Sequence, residues 1–275
     1  MHINLAHEGE ELAVTKSKAM NNKSLNLKPL SLATLAGALV IGSWSSSAEA
    51  QPVAPTPVPP KTGWETTAAA GVTLTRGNSK TLLATANILS LRKWEQNEVS
   101  LGADGAYGEN DNIKNNESLH GFGQYNRLFT DRFYGYARVD ALHDAIADVE
   151  YRVALSPGVG YYFVKNDRTR LSVEGGPSVI FEKQGGIDKT YFALRVAERF
   201  EHKLSDRAKI WQSVEYLPQV DDFNNYIVNG EVGVEAGLTE KLSLRVWVQD
   251  TYDNEPAAGR LKNDFKLFSG VAYKF

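Results

Sequence analysis

From Trp64 to Phe275 apolar and polar residues alternate with a period of two, interrupted at regular intervals by short polar stretches. Successive side chains of a strand point to opposite faces, so this period predicts strands rather than helices. Twelve are predicted, at about 64–75, 80–94, 98–108, 117–129, 132–143, 149–164, 168–182, 189–202, 207–217, 226–238, 241–251 and 262–275. No helical pattern intervenes, so the strands form an antiparallel up-and-down meander. The connections are of two kinds. Tight ones at 95–97, 130–131, 165–167, 204–206 and 239–240 alternate with a set that, apart from 76–79, is longer and more polar: 109–116, 144–148, 183–188, 218–225 and 252–261. Short turns on one side, long loops on the other and an even strand number are the organisation of a transmembrane β-barrel.

Alternation alone does not say which face looks outward, but the residues do. Across 149–164, Tyr151, Val153, Leu155, Val159, Tyr161 and Phe163 share one face, opposite Glu150, Arg152, Ser156, Gly158 and Gly160. Aromatics on the apolar face gather at strand ends. Phe133, Tyr161, Phe163, Phe200, Tyr273 and Phe275 mark the tight-turn side; Tyr151, Phe181, Phe192, Tyr216, Tyr226 and Phe265 mark the long-loop side. From Phe265 to Phe275 is roughly 33 Å of strand, or about 23 Å along the membrane normal at a tilt of about 45°. That fits an apolar band of about 25 Å between two aromatic girdles, whereas a soluble core gives rings no reason to keep two levels.

With the apolar face outward, the lumen collects Arg138, Asp140, Glu150, Arg152, Arg170, Glu174, Arg195, Arg199, Lys209, Glu215, Glu231, Glu235, Arg245 and Lys266. Charges that leave bulk water must pair or line water. Paired across the lumen, they brace and plug the barrel. Left partly unpaired, the slight basic excess lines a small polar channel with weak anion preference.

The first sixty-odd residues read differently. Lys23 and Lys28, the apolar run 30–42 and Ala48-Glu49-Ala50 form a secretory signal that places the mature start at Gln51, with Met20 the simpler true start. The apolar run is too short for a membrane-spanning helix. Residues 51–63 are proline-rich and predict an extended periplasmic tether, leaving 64–275 as the barrel. The net charge of −3 gives no basic surplus for nucleic acid, and the absence of cysteine removes disulfides and thiolate metal sites from an exported chain.

Candidate chemistry is sparse. His120, His143 and His202 fall at different places in the meander, and no His-x-x-x-His or His-x-Ser occurs. His143 beside Asp144 is the one candidate acid-base pair, but neighbours on a strand point apart. The acidic loop runs around Asp111 and Asp221-Asp222 lack a calcium-loop pattern. No catalytic residue, metal or cofactor is assigned, and the protein is not expected to be an enzyme.

GVTLTRGNSKTLLATANI, FTDRFYGYARVD, LSPGVGYYFVKNDRTRLSVEGGPSVIFE and the terminal VAYKF together resemble the YdiY-like family of salt-induced outer-membrane proteins, a domain of unknown function, over nearly all of 64–275. The resemblance implies a barrel in a Gram-negative outer membrane, in contact with its lipids, and brings no functional residues. Val271, Tyr273 and the terminal Phe275 also resemble the C-terminal signature read by the barrel-assembly machinery. The expected role is a small polar-solute pore or, from the family's name alone, osmotic or salt-stress adaptation. The alternatives are a closed structural or adhesive barrel acting through its loops, and a barrel hydrolase.

Overall fold

The computed structural model describes residues 63–76 and 80–275; the signal segment and nearly all of the proline-rich tether lie outside the described residues. Twelve strands run β1 (Trp64–Arg76), β2 (Lys80–Trp94), β3 (Asn97–Asn110), β4 (Ile113–Leu128), β5 (Phe133–Asp144), β6 (Val149–Lys165), β7 (Thr169–Gln184), β8 (Ile187–Lys203), β9 (Ala208–Pro218), β10 (Tyr226–Gly237), β11 (Leu242–Asp253) and β12 (Asn263–Lys274). Every strand pairs antiparallel with its chain neighbours, and β1 pairs with β12 from Thr67↔Lys274 to Ala70↔Val271. The sheet closes on itself and has no free edge, so the ladder satisfies backbone groups all round the wall.

The wall is turned inside out relative to a soluble barrel. On β12, Phe265, Leu267, Val271 and Tyr273 stand exposed, Phe265 at 65 %, while Phe268 and Ala272 are buried inside, Ala272 at 0 %. The outward rings form two levels. Tyr216, Tyr226 and Tyr252 pack in series at the long-loop end, with centroids 5.7 and 5.8 Å apart; Tyr161–Phe163 and Tyr273–Phe275 pack edge-on at the tight-turn end. An aliphatic belt between aromatic girdles around a polar interior is the polarity of a transmembrane barrel. Among the described residues no helix is long and apolar enough to cross a membrane.

Two irregularities shape the interior. A bulge between Val149 and Tyr151 inserts Glu150 as an extra residue and resets the alternation of β6. Midway along the wall, β6–β7 pairing stops after Leu155↔Val179 and resumes in the same register at Val159↔Gly175, which sets Pro157 opposite Pro177. Three successive pairs vanish together when both residues of a pair that exchanges two N–H···O bonds lack the N–H, as these prolines do. On the lumen side of that gap the Ser156 and Ser178 hydroxyls bridge the strands at 2.9 Å. Gly160 leaves room for an inward ring: a Cβ there would sit 2.3 Å from Tyr134 Cζ.

Candidate functional site

The lumen encloses a cavity of about 500 Å³. Its lining starts at the tight-turn rim with Lys93, Glu98, Arg170 and Lys209, and ends at the long-loop rim with Gln184, Pro256, Leu261 and Asp264. Alternation places the charges on this face: residues flanking an outward Val or Leu must look inward.

At mid-height one polar network crosses strands β3 to β9. Arg195 Nη1 donates to Glu174 Oε2 at 2.8 Å and its Nε to Glu215 Oε2 at 2.5 Å. Glu174 Oε1 also accepts from Gln124 Nε2 at 2.7 Å and Tyr134 OH at 2.9 Å. Arg138 Nη1 donates to Gln124 Oε1 at 3.1 Å, and its Nε and Nη2 hold Asp140 in a two-point fork. His120 bridges Asp140, 3.5 Å from Nε2, to Asp104, 3.0 Å from Nδ1. Arg195 and Glu174 are only 2 % and 3 % exposed. Such desolvated charges persist because nearly every polar atom has a partner, and deleting one partner strands the rest.

A second group lies on the opposite wall, where Arg245 Nε pairs with Glu235 at 3.2 Å and Arg245 Nη1 donates to Asn87 Oδ1 at 3.2 Å. Lys209 approaches the same carboxylate at 3.6 Å. Trp211 Nε1 and Gln249 Nε2 donate to the two oxygens of Glu231 at 2.5 and 3.0 Å.

The long-loop mouth is spanned. Arg152 Nε donates to Glu182 at 2.6 Å and Nη2 to Asp253 Oδ2 at 2.9 Å; Gln184 Nε2 donates to the same Asp253 oxygen at 3.1 Å. β6 and β11 are five places apart round the ring of twelve, so Arg152–Asp253 reaches nearly across the opening. Asp253 begins the β11–β12 loop, and its Oδ1 caps the N–H of Glu255 at 3.0 Å. Ala257 of that loop is buried against Gly185 in the β7–β8 turn. Lys266 adds another cross-lumen contact, donating to Asp144 at 2.8 Å and to Ser118 at 3.1 Å.

Among the sequence candidates, Arg138, Asp140, Arg152, Arg170, Glu174, Arg195, Arg199, Lys209, Glu215, Glu231, Arg245 and Lys266 line the cavity. Glu235 joins them through Arg245 and Lys209. Glu150 does not: the bulge turns it out, its side chain is 62 % exposed, and it pairs with Lys183 on the outer surface at 2.6 Å. Residues absent from the sequence candidates include Glu98, Asp104, Asp144, Glu182, Glu201, Asp253 and Asp264 on the acidic side and Lys93 on the basic side. With them, carboxylates outnumber cations among the lumen residues named, so the slight basic excess expected from sequence is corrected. Glu98 and Asp104 were legible from the outward Val99 and Leu101 beside them. Asp144 and Asp253 were assigned to loops, and nothing in their spacing reveals their inward reach. Among the described residues Arg170 and Arg199 have no ion pair within 4 Å; Arg199 lies over the Phe122 ring, 5.9 Å from its centroid.

His143 and Asp144 diverge. His143 Nδ1 meets the Glu150 carbonyl at 2.9 Å on the exposed side, while Asp144 turns inward to Lys266, so they do not form a catalytic pair.

The family described as "Protein of unknown function, DUF481" matches residues 68–275. No curated protein matches the chain. Among solved structures, the chain is similar to the NanC porin (TM-score 0.48, 7 % identity, 77 % of this chain and 100 % of that one). It is also similar to the KdgM porin (TM-score 0.44, 9 % identity, 78 % and 99 %). A third is the translocator domain of the autotransporter NalP from Neisseria meningitidis (TM-score 0.40, 14 % identity, 77 % and 87 %). With TM-scores below 0.5, these likenesses say nothing of what this lumen carries.

Proposed function

The chain belongs to the DUF481 family, and because that membership brings no activity with it, we propose a role from the lumen itself: a narrow, water-filled passage for small polar solutes across a Gram-negative outer membrane. The observation that carries this reading is the cavity lined by residues of both rims, walled by charged and amide groups. A barrel whose interior served only as packing would do as well or better with aliphatic side chains, because replacing buried ion pairs by well-packed hydrophobic residues is often neutral or stabilising. Polar walls around free volume favour water, and water is what small solutes follow. The lack of a disulfide-forming residue, the closed ladder and the outward belt suit an exported protein held in lipid rather than by cross-links.

Charge selectivity on this reading is weak. Most lumen charges are neutralised by a neighbour, and the two arginines without an ion pair, Arg170 and Arg199, are countered by the acidic long-loop mouth at Asp144, Glu182, Asp253 and Asp264. The test is planar-bilayer recording of the refolded barrel. Discrete steps with a reversal potential close to zero in a salt gradient are expected. Absence of any step above background, at every salt concentration tried, overturns the passage.

A further inference from the structure

Four charged side chains crowd the tight-turn mouth of the lumen, and three of them are cations. A bulge between Tyr162 and Val164 puts one extra residue into β6, so Tyr162 and Lys165, three apart in sequence, both turn to the lumen. Lys165 Nζ stands 4.4 Å over the Tyr162 ring. Across the ladder Lys165 is in register with Arg170 of β7, a like-charge pair that destabilises the sheet unless an anion screens it. Lys93, near the end of β2, joins them, and the charges of Lys165 and Arg170 both repel it. Among the described residues, Glu98 alone brings a carboxylate within 4 Å of any of the three. It lies 3.5 Å from Lys93 and 3.9 Å from Lys165, and its other oxygen accepts from Tyr162 OH at 2.7 Å. Glu201, opposite Arg170 on β8, lies with Lys209 at 3.9 Å. The Arg170 guanidinium therefore faces the cavity with no acceptor among the described residues. Asn126, in register with Glu98 and only 7 % exposed, accepts from Gln124 on Oδ1, while its Nδ2 hydrogens reach no acceptor among the described residues.

Three cations against one carboxylate leave two positive charges without a counter-ion, beside two sets of unused N–H donors. We propose that Lys93, Lys165, Arg170 and the Asn126 amide bind a small phosphate-type dianion at this mouth. Two surplus charges match a dianion, and the planar fork of Arg170 grips two oxygens of one such ion while the ammonium groups and the amide take the others. Glu98 is the internal rival of the ligand: it holds the lysines when the site is empty and keeps binding weak enough for release. The opposite mouth is acidic at Asp144, Glu182, Asp253 and Asp264, so the anion is drawn to one end of the lumen.

The inference rests on the passage reading, because the ion must enter the lumen, and two measurements separate them. Equilibrium dialysis of radiolabelled inorganic phosphate against the refolded barrel in detergent reads binding, and bilayer recording reads passage. Saturable binding of one phosphate per barrel is expected at mildly alkaline pH, with acetate a weaker competitor. Arg170→Gln and Lys165→Gln are each expected to weaken binding about tenfold, the loss of one charge-assisted contact. Glu98→Gln keeps the shape, removes the rival charge and is expected to tighten binding by a similar factor, which loss of a merely bracing residue would not do. Lys183→Gln, on the outer surface, is expected to change nothing. Each variant's folding is followed by the heat-dependent shift in gel mobility of an intact barrel. Conductance steps without saturable binding, or binding that Arg170→Gln and Lys165→Gln leave unchanged in folded barrels, overturn the site alone. Binding as expected with no steps overturns the passage and leaves the site; neither binding nor steps overturns both. Acetate bound as tightly as phosphate overturns the dianion as the ligand.

Discussion

If Arg152–Asp253 spans the long-loop mouth, cutting it should open the passage and weaken the barrel by amounts that differ between its two ends. Asp253→Ala removes a charged acceptor of Arg152 and Gln184 but leaves Arg152 its bond to Glu182 at 2.6 Å. A hydrogen bond to a charged group contributes about 1.5–3 kcal/mol, and that is the expected loss. Arg152→Ala removes the cation shared by Glu182 and Asp253 and leaves two carboxylates facing each other in a largely buried mouth. Stranding a buried charge costs about 3–5 kcal/mol, so this variant should be the less stable of the two. The double variant should be less damaged than the sum of the singles, since one interaction cannot be lost twice.

Urea unfolding in detergent measures the stabilities, and single-channel recording measures the opening. Asp253→Ala frees the start of the β11–β12 loop, whose Ala257 now lies against the β7–β8 turn, so unitary conductance should rise above that of the parent. Asp253→Asn keeps an acceptor without the charge and should fall between the two. Parent-like conductance in both Asp253→Ala and Arg152→Ala, with both barrels folded, refutes the strut as the narrow point.

Glu174→Ala should cost about 3–5 kcal/mol by stranding Arg195, Gln124 and Tyr134, and should move the reversal potential toward anion preference; an unmoved potential in a folded barrel argues against a conducting lumen at that height. Replacing both Pro157 and Pro177 by Val supplies the two missing ladder donors and should stabilise the barrel by about 1–3 kcal/mol, at about 0.5–1.5 kcal/mol per bond. Fast hydrogen exchange at the two new amides would show that the ladder does not close there. Gly160→Ala pushes against the Tyr134 ring and should cost about 1–3 kcal/mol, with a red-edge change in tyrosine absorbance reporting the displaced ring.

The strand frame was legible because a two-residue period with turn residues between runs admits few alternatives, and the inside-out polarity was legible because rings gathered at two levels. Bulges were not: Glu150 has the alternation of an inward residue until one extra residue in β6 turns it outward. Cross-lumen partners were not legible either. That Gln124 reaches Glu174, or Lys266 reaches Asp144, depends on the stagger of strands round the ring and on how far each side chain extends, and neither is written in local spacing.

The lumen wall places arginines and carboxylates where aliphatic residues would fill space without a desolvation cost, a cost that the proposed water-filled passage would offset by solvating their free atoms. A barrel under selection only for closure and insertion would gain nothing from such a wall. Its cost is tolerable because the lumen charges are neutralised by neighbours along the wall. The weak charge selection expected of such a lumen therefore follows from the same pairing that makes its buried charges tolerable.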